Sequence, residues 1–295
     1  MSTAGQSGIV VGVDGSPSSD VAVRWAAREA VMRGVRLVLV HVLSTDVTAV
    51  WAMAVPAAPL PAEFFESRER AARTVLAAAE ALATESGAVD VTTDFVYAAQ
   101  VPGLVDAAKG ADMVVVGTRG HGAVKRLLLG SVSTGLLHHA RCPVAVAVVG
   151  ADSETAPATG PVVVGVDGSR ASQRAVEIAF EEASMRGVDL VALHSWSDRS
   201  ESLHPYVDWA TVQVPAEETL AVSLAGWCER YPDVTVHRES VFDRPVEHLL
   251  ERSEGAQLLV VGSHGRGGFA GMLLGSVSTA VVQAARVPVI VARGR

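Results

Sequence analysis

The chain carries only two cysteines in its 295 residues, Cys142 and Cys228, far apart and outside any CxxC spacing. That excludes a disulfide framework and a zinc knuckle alike. Basic blocks are also missing: the formal charge is −8, with 32 acidic against 24 basic residues. A nucleic-acid partner would need a clustered positive footprint, so no such partner is expected. No apolar run approaches the roughly 18 residues of a membrane span, and the opening MSTAGQSG has neither a charged n-region nor an apolar h-region. The expectation is a cytoplasmic protein that does not enter a membrane.

What is present is a repeat. GIVVGVDGSPSSDVAVRWAAREAVMRGVRLVLVHV at 8–42 returns as PVVVGVDGSRASQRAVEIAFEEASMRGVDLVALHS at 161–195. VVVGTRGHGAVKRLLLGSVSTG at 114–135 returns at 260–281 as VVGSHGRGGFAGMLLGSVSTAV. Between the halves, GADSETAPATG at 150–160 has the composition of a linker. Two domains follow, 1–149 and 161–295, each large enough to bury its own core.

Within the first half, short apolar runs alternate with helical patterns. Strands are predicted at Ile9–Val13, Leu37–Val42, Val89–Tyr97, Met113–Val116 and Val144–Val149, with helices at Ser18–Gly34, Glu63–Ser86, Gly103–Lys109 and about Val132–Ala140. Strands apolar on both faces and separated by helices indicate an α/β fold, a five-stranded parallel sheet covered on both sides, in each half. The last strands, Val144–Val149 and Val287–Ala292, read as apolar edges that must be covered. They are expected to pair across the halves, and the chain to form a homodimer through edge strands.

Ligands of such sheets bind beyond the carboxyl ends of the strands. Three segments of each half reach that rim: Asp14-Gly15-Ser16 or Asp167-Gly168-Ser169, His41-Val42 or His194-Ser195, and the glycine-rich passage. The passage reads Gly117-x2-Gly120-x9-Gly130-Ser131 and Gly262-x2-Gly265-x9-Gly275-Ser276. Glycines let backbone N–H groups approach a phosphate closely, and a helix opening at Gly130-Ser131 or Gly275-Ser276 offers unpaired N–H groups and a positive dipole end. Ser131, Ser133, Ser276 and Ser278 could add hydroxyl donors, and Arg119, Lys125, Arg126 and Arg266 are the available cations. The plainer reading is a turn followed by a cap.

Better-known glycine motifs fail. Ala123 follows Gly122 where a Walker loop requires lysine. Gly265-Arg266-Gly267-Gly268-Phe269-Ala270 matches GxGxxA, but it follows the fourth strand and no Asp or Glu lies beyond Glu254.

The G-2x-G-9x-G-[ST] spacing, VDGS after strand one and LVLVHV or LVALHS as strand two resemble the universal stress protein family in its tandem form. The resemblance implies a Rossmann-like sheet of order 3-2-1-4-5 in each half, ATP binding, dimerising domains and a regulatory role in stress or growth arrest. It puts phosphates on Gly117, Gly120, Gly130, Ser131 and Val132, and on Gly262, Gly265, Gly275, Ser276 and Val277. The intervening or adjoining Thr118, Arg119, His121, Gly122, Ala123 and Ser133, with Ser263, His264, Arg266, Gly267, Gly268 and Ser278, join them as candidates. Adenine would touch Gly12 and Val42, or Gly165 and Ser195. Asp14 and Asp167 would orient the nucleotide or hold Mg²⁺ through water, or else form an ordinary turn and cap. Asp198 would reach a ribose hydroxyl.

His41 and His194 end apolar strands, where a hydrogen-bonded core histidine is the commoner case. No nucleophile pattern such as GxSxG accompanies any histidine. Two functions compete: a nucleotide-binding regulatory module with an unidentified protein partner, and an ATPase or nucleotidyl transferase using Asp14 or Asp167 with Mg²⁺. The absence of a second well-placed acid in either half favours the module and not an enzyme.

Overall fold

The computed structural model describes residues 8–45, 62–118, 129–148, 159–196, 209–265 and 274–293. The chain divides into two compact units, 1–149 with 294–295, and 150–293. The first contains β1 (Gly8–Gly12), α1 (Pro17–Arg33), β2 (Arg36–Ser44), α2 (Ala62–Glu85), β3 (Val91–Ala98), α3 (Gln100–Ala107), β4 (Met113–Gly117), α4 (Ser131–His139) and β5 (Val144–Ala147). The second contains β6 (Val162–Gly165), α5 (Arg170–Arg186), β7 (Leu190–Trp196), α6 (Trp209–Arg230), β8 (Val236–Phe242), α7 (Pro245–Ser253), β9 (Leu258–Gly262), α8 (Ser276–Ala284) and β10 (Val289–Ala292).

Strands in the first unit follow the order β3-β2-β1-β4-β5, all parallel, and those in the second follow β8-β7-β6-β9-β10. Parallel neighbours need crossover helices, and right-handed crossovers running outward both ways from the central pair put helices on both faces. Accordingly α1 packs on α2 and α3 on α4. Ile9, Val11, Leu37, Leu39 and Val115 are wholly buried, as strands covered twice require. The expected α/β class and sheet order hold in each unit.

The repeated sequence produces repeated caps. Ser16 Oγ accepts from the Ser19 N–H at 3.2 Å and Ser169 Oγ from the Ser172 N–H at 3.2 Å, so α1 and α5 start alike. They also stop alike, on Gly34 and Gly187 at φ 64° and 63°. Each buries a carboxylate one turn before its end: Glu29, 1% exposed, faces Arg33, and Glu182, 0% exposed, bonds Arg186. A buried carboxylate survives only when paired, which makes these i,i+4 pairs a structural requirement of both halves.

Of the predicted boundaries that move, two have a local reason. Helix α3 begins at Gln100 and includes Pro102, whose missing N–H falls in the first turn, where that group has no intrahelical partner anyway. Strand β3 begins at Val91, because Val89 stands 96% exposed after the Gly87 turn at φ 98°.

A Cβ on Gly262 would lie 2.8 Å from the Ala171 carbonyl carbon and 2.9 Å from the Ser172 nitrogen, whereas Gly226 in α6 faces open space. Gly262→Ala is expected to lower stability by about 1–3 kcal/mol. Gly226→Ala should raise it by roughly 0.5–1 kcal/mol. Thermal and urea denaturation of the two variants reads both signs, and equal effects would contradict the packing described.

Candidate functional site

Three chain segments converge where β1, β2 and β4 end, and again where β6, β7 and β9 end. The first is the Asp-Gly-Ser turn. Asp14 Oδ1 accepts from the Ser16 N–H at 2.9 Å and the Asp14 N–H donates to Ser19 Oγ at 3.3 Å. Asp167 repeats this with Ser169 at 2.9 Å and Ser172 at 3.1 Å. Gly15 and Gly168 turn the chain at φ 79° and 73°. One carboxylate oxygen of each aspartate thus builds the turn. The other oxygen of Asp167 faces the glycine-rich passage: a Cβ on Gly265 would stand 2.5 Å from Asp167 Oδ2.

The second segment is held by histidine. His41 Nδ1 lies 2.7 Å from the Val13 carbonyl and His194 Nδ1 lies 2.6 Å from that of Val166. A carbonyl only accepts, so Nδ1 carries the proton in both rings and each histidine ties strand two to the start of the Asp-Gly-Ser turn. These are positioning contacts inside the fold.

The third segment is the glycine-rich passage. It leaves β4 with the Thr118 N–H bonded to the Ala147 carbonyl at 3.1 Å and returns with the Gly130 N–H on the Thr118 carbonyl at 2.8 Å. In the second unit the same bonds join Ser263 to Ala292 at 3.1 Å and Gly275 to Ser263 at 2.8 Å. Helices α4 and α8 then open on Gly130 and Gly275, which have no side chain to cap them. Among the described residues no side chain takes the first-turn N–H groups of Ser131, Val132 and Ser133, or of Ser276, Val277 and Ser278, and Ser131 and Ser276 are exposed. Such a turn presents N–H donors and a positive dipole end to an anion.

The structure reassigns several candidates. Ser133 Oγ donates to the Gly117 carbonyl at 2.8 Å and Ser278 Oγ to that of Gly262 at 2.6 Å. A hydroxyl has one proton, so neither serine offers it to a phosphate. Gly117 is glycine for packing: a Cβ there would meet the Ser18 carbonyl oxygen and Oγ at 2.4 Å. Gly12 would meet Leu104 at 3.0 Å and Gly165 would meet Leu249 at 3.3 Å, so they admit leucines of α3 and α7. Val42 lies against Gly103 of α3, 3.3 Å from where its Cβ would be. Ser195 Oγ donates to the Asp243 carbonyl at 2.7 Å, and this commits its proton to the fold. His264 reaches Ser263 Oγ at 3.1 Å while its carbonyl accepts from Ser169 Oγ at 3.2 Å, which ties the passage to the cap of α5. Arg119, Gly120, His121, Gly122, Ala123, Lys125, Arg126, Asp198, Arg266, Gly267 and Gly268 lie outside the described residues.

Sequence reasoning missed Ser169 as a tether of the passage and Arg68 of α2. Arg68 Nη2 donates to the Ser44 carbonyl at 2.7 Å, at the end of β2 on the same rim. Nothing in an Ala/Glu/Arg helix marks one arginine among several.

Two copies of this arrangement on two 3-2-1-4-5 sheets define a tandem α/β protein whose two rims each present the N–H groups of a helix opening. The family model for the universal stress protein family matches residues 8–147 and 159–293, and the chain belongs to that family. It is 50% identical over 294 residues to universal stress protein Rv2005c of Mycobacterium tuberculosis, with 98% of this chain and 97% of that one covered. It is 51% identical over 290 residues to universal stress protein Rv2623 of the same organism, with 97% and 96% covered. The crystal structure of a universal stress protein from Archaeoglobus fulgidus superposes with a TM-score of 0.70 at 23% identity, covering 97% of this chain and 98% of that one, a likeness of fold.

The serines within one turn of each helix should separate by role. Ser133→Ala and Ser278→Ala each leave a strand-end carbonyl without its donor and are expected to cost about 1–3 kcal/mol. Ser131→Ala and Ser276→Ala, on exposed side chains, should stay within about 0.5 kcal/mol of the parent. Chemical denaturation midpoints test the contrast.

Proposed function

We propose that each half binds one ATP, and that the chain is a regulatory module of stress response or growth arrest, not a metabolic enzyme. One observation carries this reading: the uncapped first turns of α4 and α8, opened on glycine and fixed beside the Asp-Gly-Ser turn. Phosphates would lie on the N–H groups of Ser131–Ser133 and Ser276–Ser278. The nucleoside would extend along the rim toward the end of strand two. Nucleotide in place would fix the passage and so set which surface the chain offers to a protein partner or to a second copy in a homodimer.

Magnesium fits this scheme as a companion of the phosphates. Among the described residues no group of three His, Cys, Asp or Glu side chains forms a protein cage for a metal. Mg²⁺ keeps several waters and is commonly held by one or two carboxylates plus phosphate oxygens, which suits Asp14 and Asp167. With one carboxylate oxygen of each committed to its turn, a metal pair for phosphoryl transfer has little protein support. Among the described residues no helix is long and apolar enough to cross a membrane.

Gly265→Glu drives a side chain into Asp167 and a negative charge into the second cradle, and Gly120→Glu does the same in charge to the first. Equilibrium dialysis with Mg·ATP should find about one nucleotide per chain on each single variant and none on the double. Loss of all binding from one substitution would replace two sites by one composite site. Turnover of Mg·ATP should remain below the roughly 1 s⁻¹ low end of enzymes, and faster hydrolysis would favour the ATPase.

A further inference from the structure

Among the described residues Arg68 is a cation without a counter-charge. Its Nη2 bonds Ser44, but its Nη1 is buried and, among the described residues, has no hydrogen-bond partner. The Cζ lies 5.7 Å from the Phe64 ring centre, so the guanidinium rests on an aromatic face that offers Nη1 no lone pair. Helical geometry explains the missing carboxylate: the residues three and four away on α2 are Phe64, Phe65, Ala71 and Ala72. The adjacent Glu69 is engaged elsewhere, with Arg73 at 2.8 Å and the Tyr97 hydroxyl at 3.1 Å, and Glu63 and Glu66 are exposed. A buried donor on a charged group costs free energy until an acceptor, best an anion, completes it.

The position on the rim says which anion. Arg68 stands at Ser44, two residues past Val42, while the uncapped turn of α4 follows β4. In the order β3-β2-β1-β4 these ends are two strand spacings apart, roughly 10 Å. One phosphate chain on α4 does not also satisfy Arg68. The partner of Nη1 belongs to the far end of the ligand.

Resting on the nucleotide reading above, we propose that the first half takes adenine nucleotides bearing a phosphate on the ribose as well as at the 5′ position, and that Arg68 receives the ribose phosphate. The sequence of the second half has no arginine at the matching position: four residues before the first buried residue of α2, Ala72, stands Arg68, and four before Leu220 of α6 stands Ala216. The preference therefore belongs to one site per chain.

The test uses the full chain with Gly265→Glu, which leaves the first site, and titrates AMP, adenosine 2′,5′-bisphosphate and adenosine 3′,5′-bisphosphate by calorimetry. One bisphosphate should bind about tenfold tighter than AMP, the isomer identifying the ribose position. Arg68→Gln should bring that ratio to about one with ATP binding retained, and Arg68→Lys should keep part of it. The reciprocal chain, with Gly120→Glu, should show no preference. Equal affinity for all three ligands while ATP still binds overturns this inference and leaves the nucleotide reading standing. A preference that survives Arg68→Gln, or that the second site shares, overturns it as well. Failure of ATP and all three ligands to bind removes both readings.

Discussion

The rim of each domain depends on one close approach, that of the last residue of β4 or β9 to the first turn of α1 or α5. Gly117 and Gly262 leave no room for a Cβ because helix backbone already fills that space, at 2.4 Å from the Ser18 carbonyl and 2.8 Å from Ala171. The same two residues give their carbonyls to Ser133 and Ser278. One glycine thereby fixes the strand end against the helix before it in the site and the helix after it. With that distance set, the Asp-Gly-Ser turn and the opening of α4 or α8 cannot drift apart, and the uncapped N–H groups face a place defined by the fold.

Everything else at the rim tightens this arrangement. The Gly130 and Gly275 N–H groups close the glycine-rich passage onto its own start, so their donors are structural and the unpaired N–H groups of each helix opening are those of the next three residues. The histidines of strand two, often the first suspects in such a cleft, carry Nδ1 protons already committed to Val13 and Val166. Among the described residues, the rim offers a ligand backbone N–H groups and the exposed hydroxyls of Ser131 and Ser276. Under the proposed function, that set receives and orients a phosphate ester.

The fold was legible because it is written twice. Ser16 and Ser169, Gly34 and Gly187, and the alternating apolar runs are local signals, and each became the cap, stop or strand that its chemistry suggests. The roles within the glycine-rich passage were less legible. Spacing marks Gly117, Ser131 and Ser133 alike, but only the packing of α1 on β4 decides that Gly117 serves a helix and that the Ser133 hydroxyl turns inward. Arg68 left no trace in the sequence, since its isolation arises from what α2 places one turn away on each side and from where β2 ends.

The central claim is that the first turns of α4 and α8 are the anion-binding elements, and amide hydrogen exchange tests it most directly. With saturating Mg·ATP, the amides of Ser131–Ser133 and Ser276–Ser278 should gain protection in both halves while those at the opposite ends of these helices stay unchanged. Protection elsewhere on the chain, with the exchange of these six amides unaltered, would contradict the account.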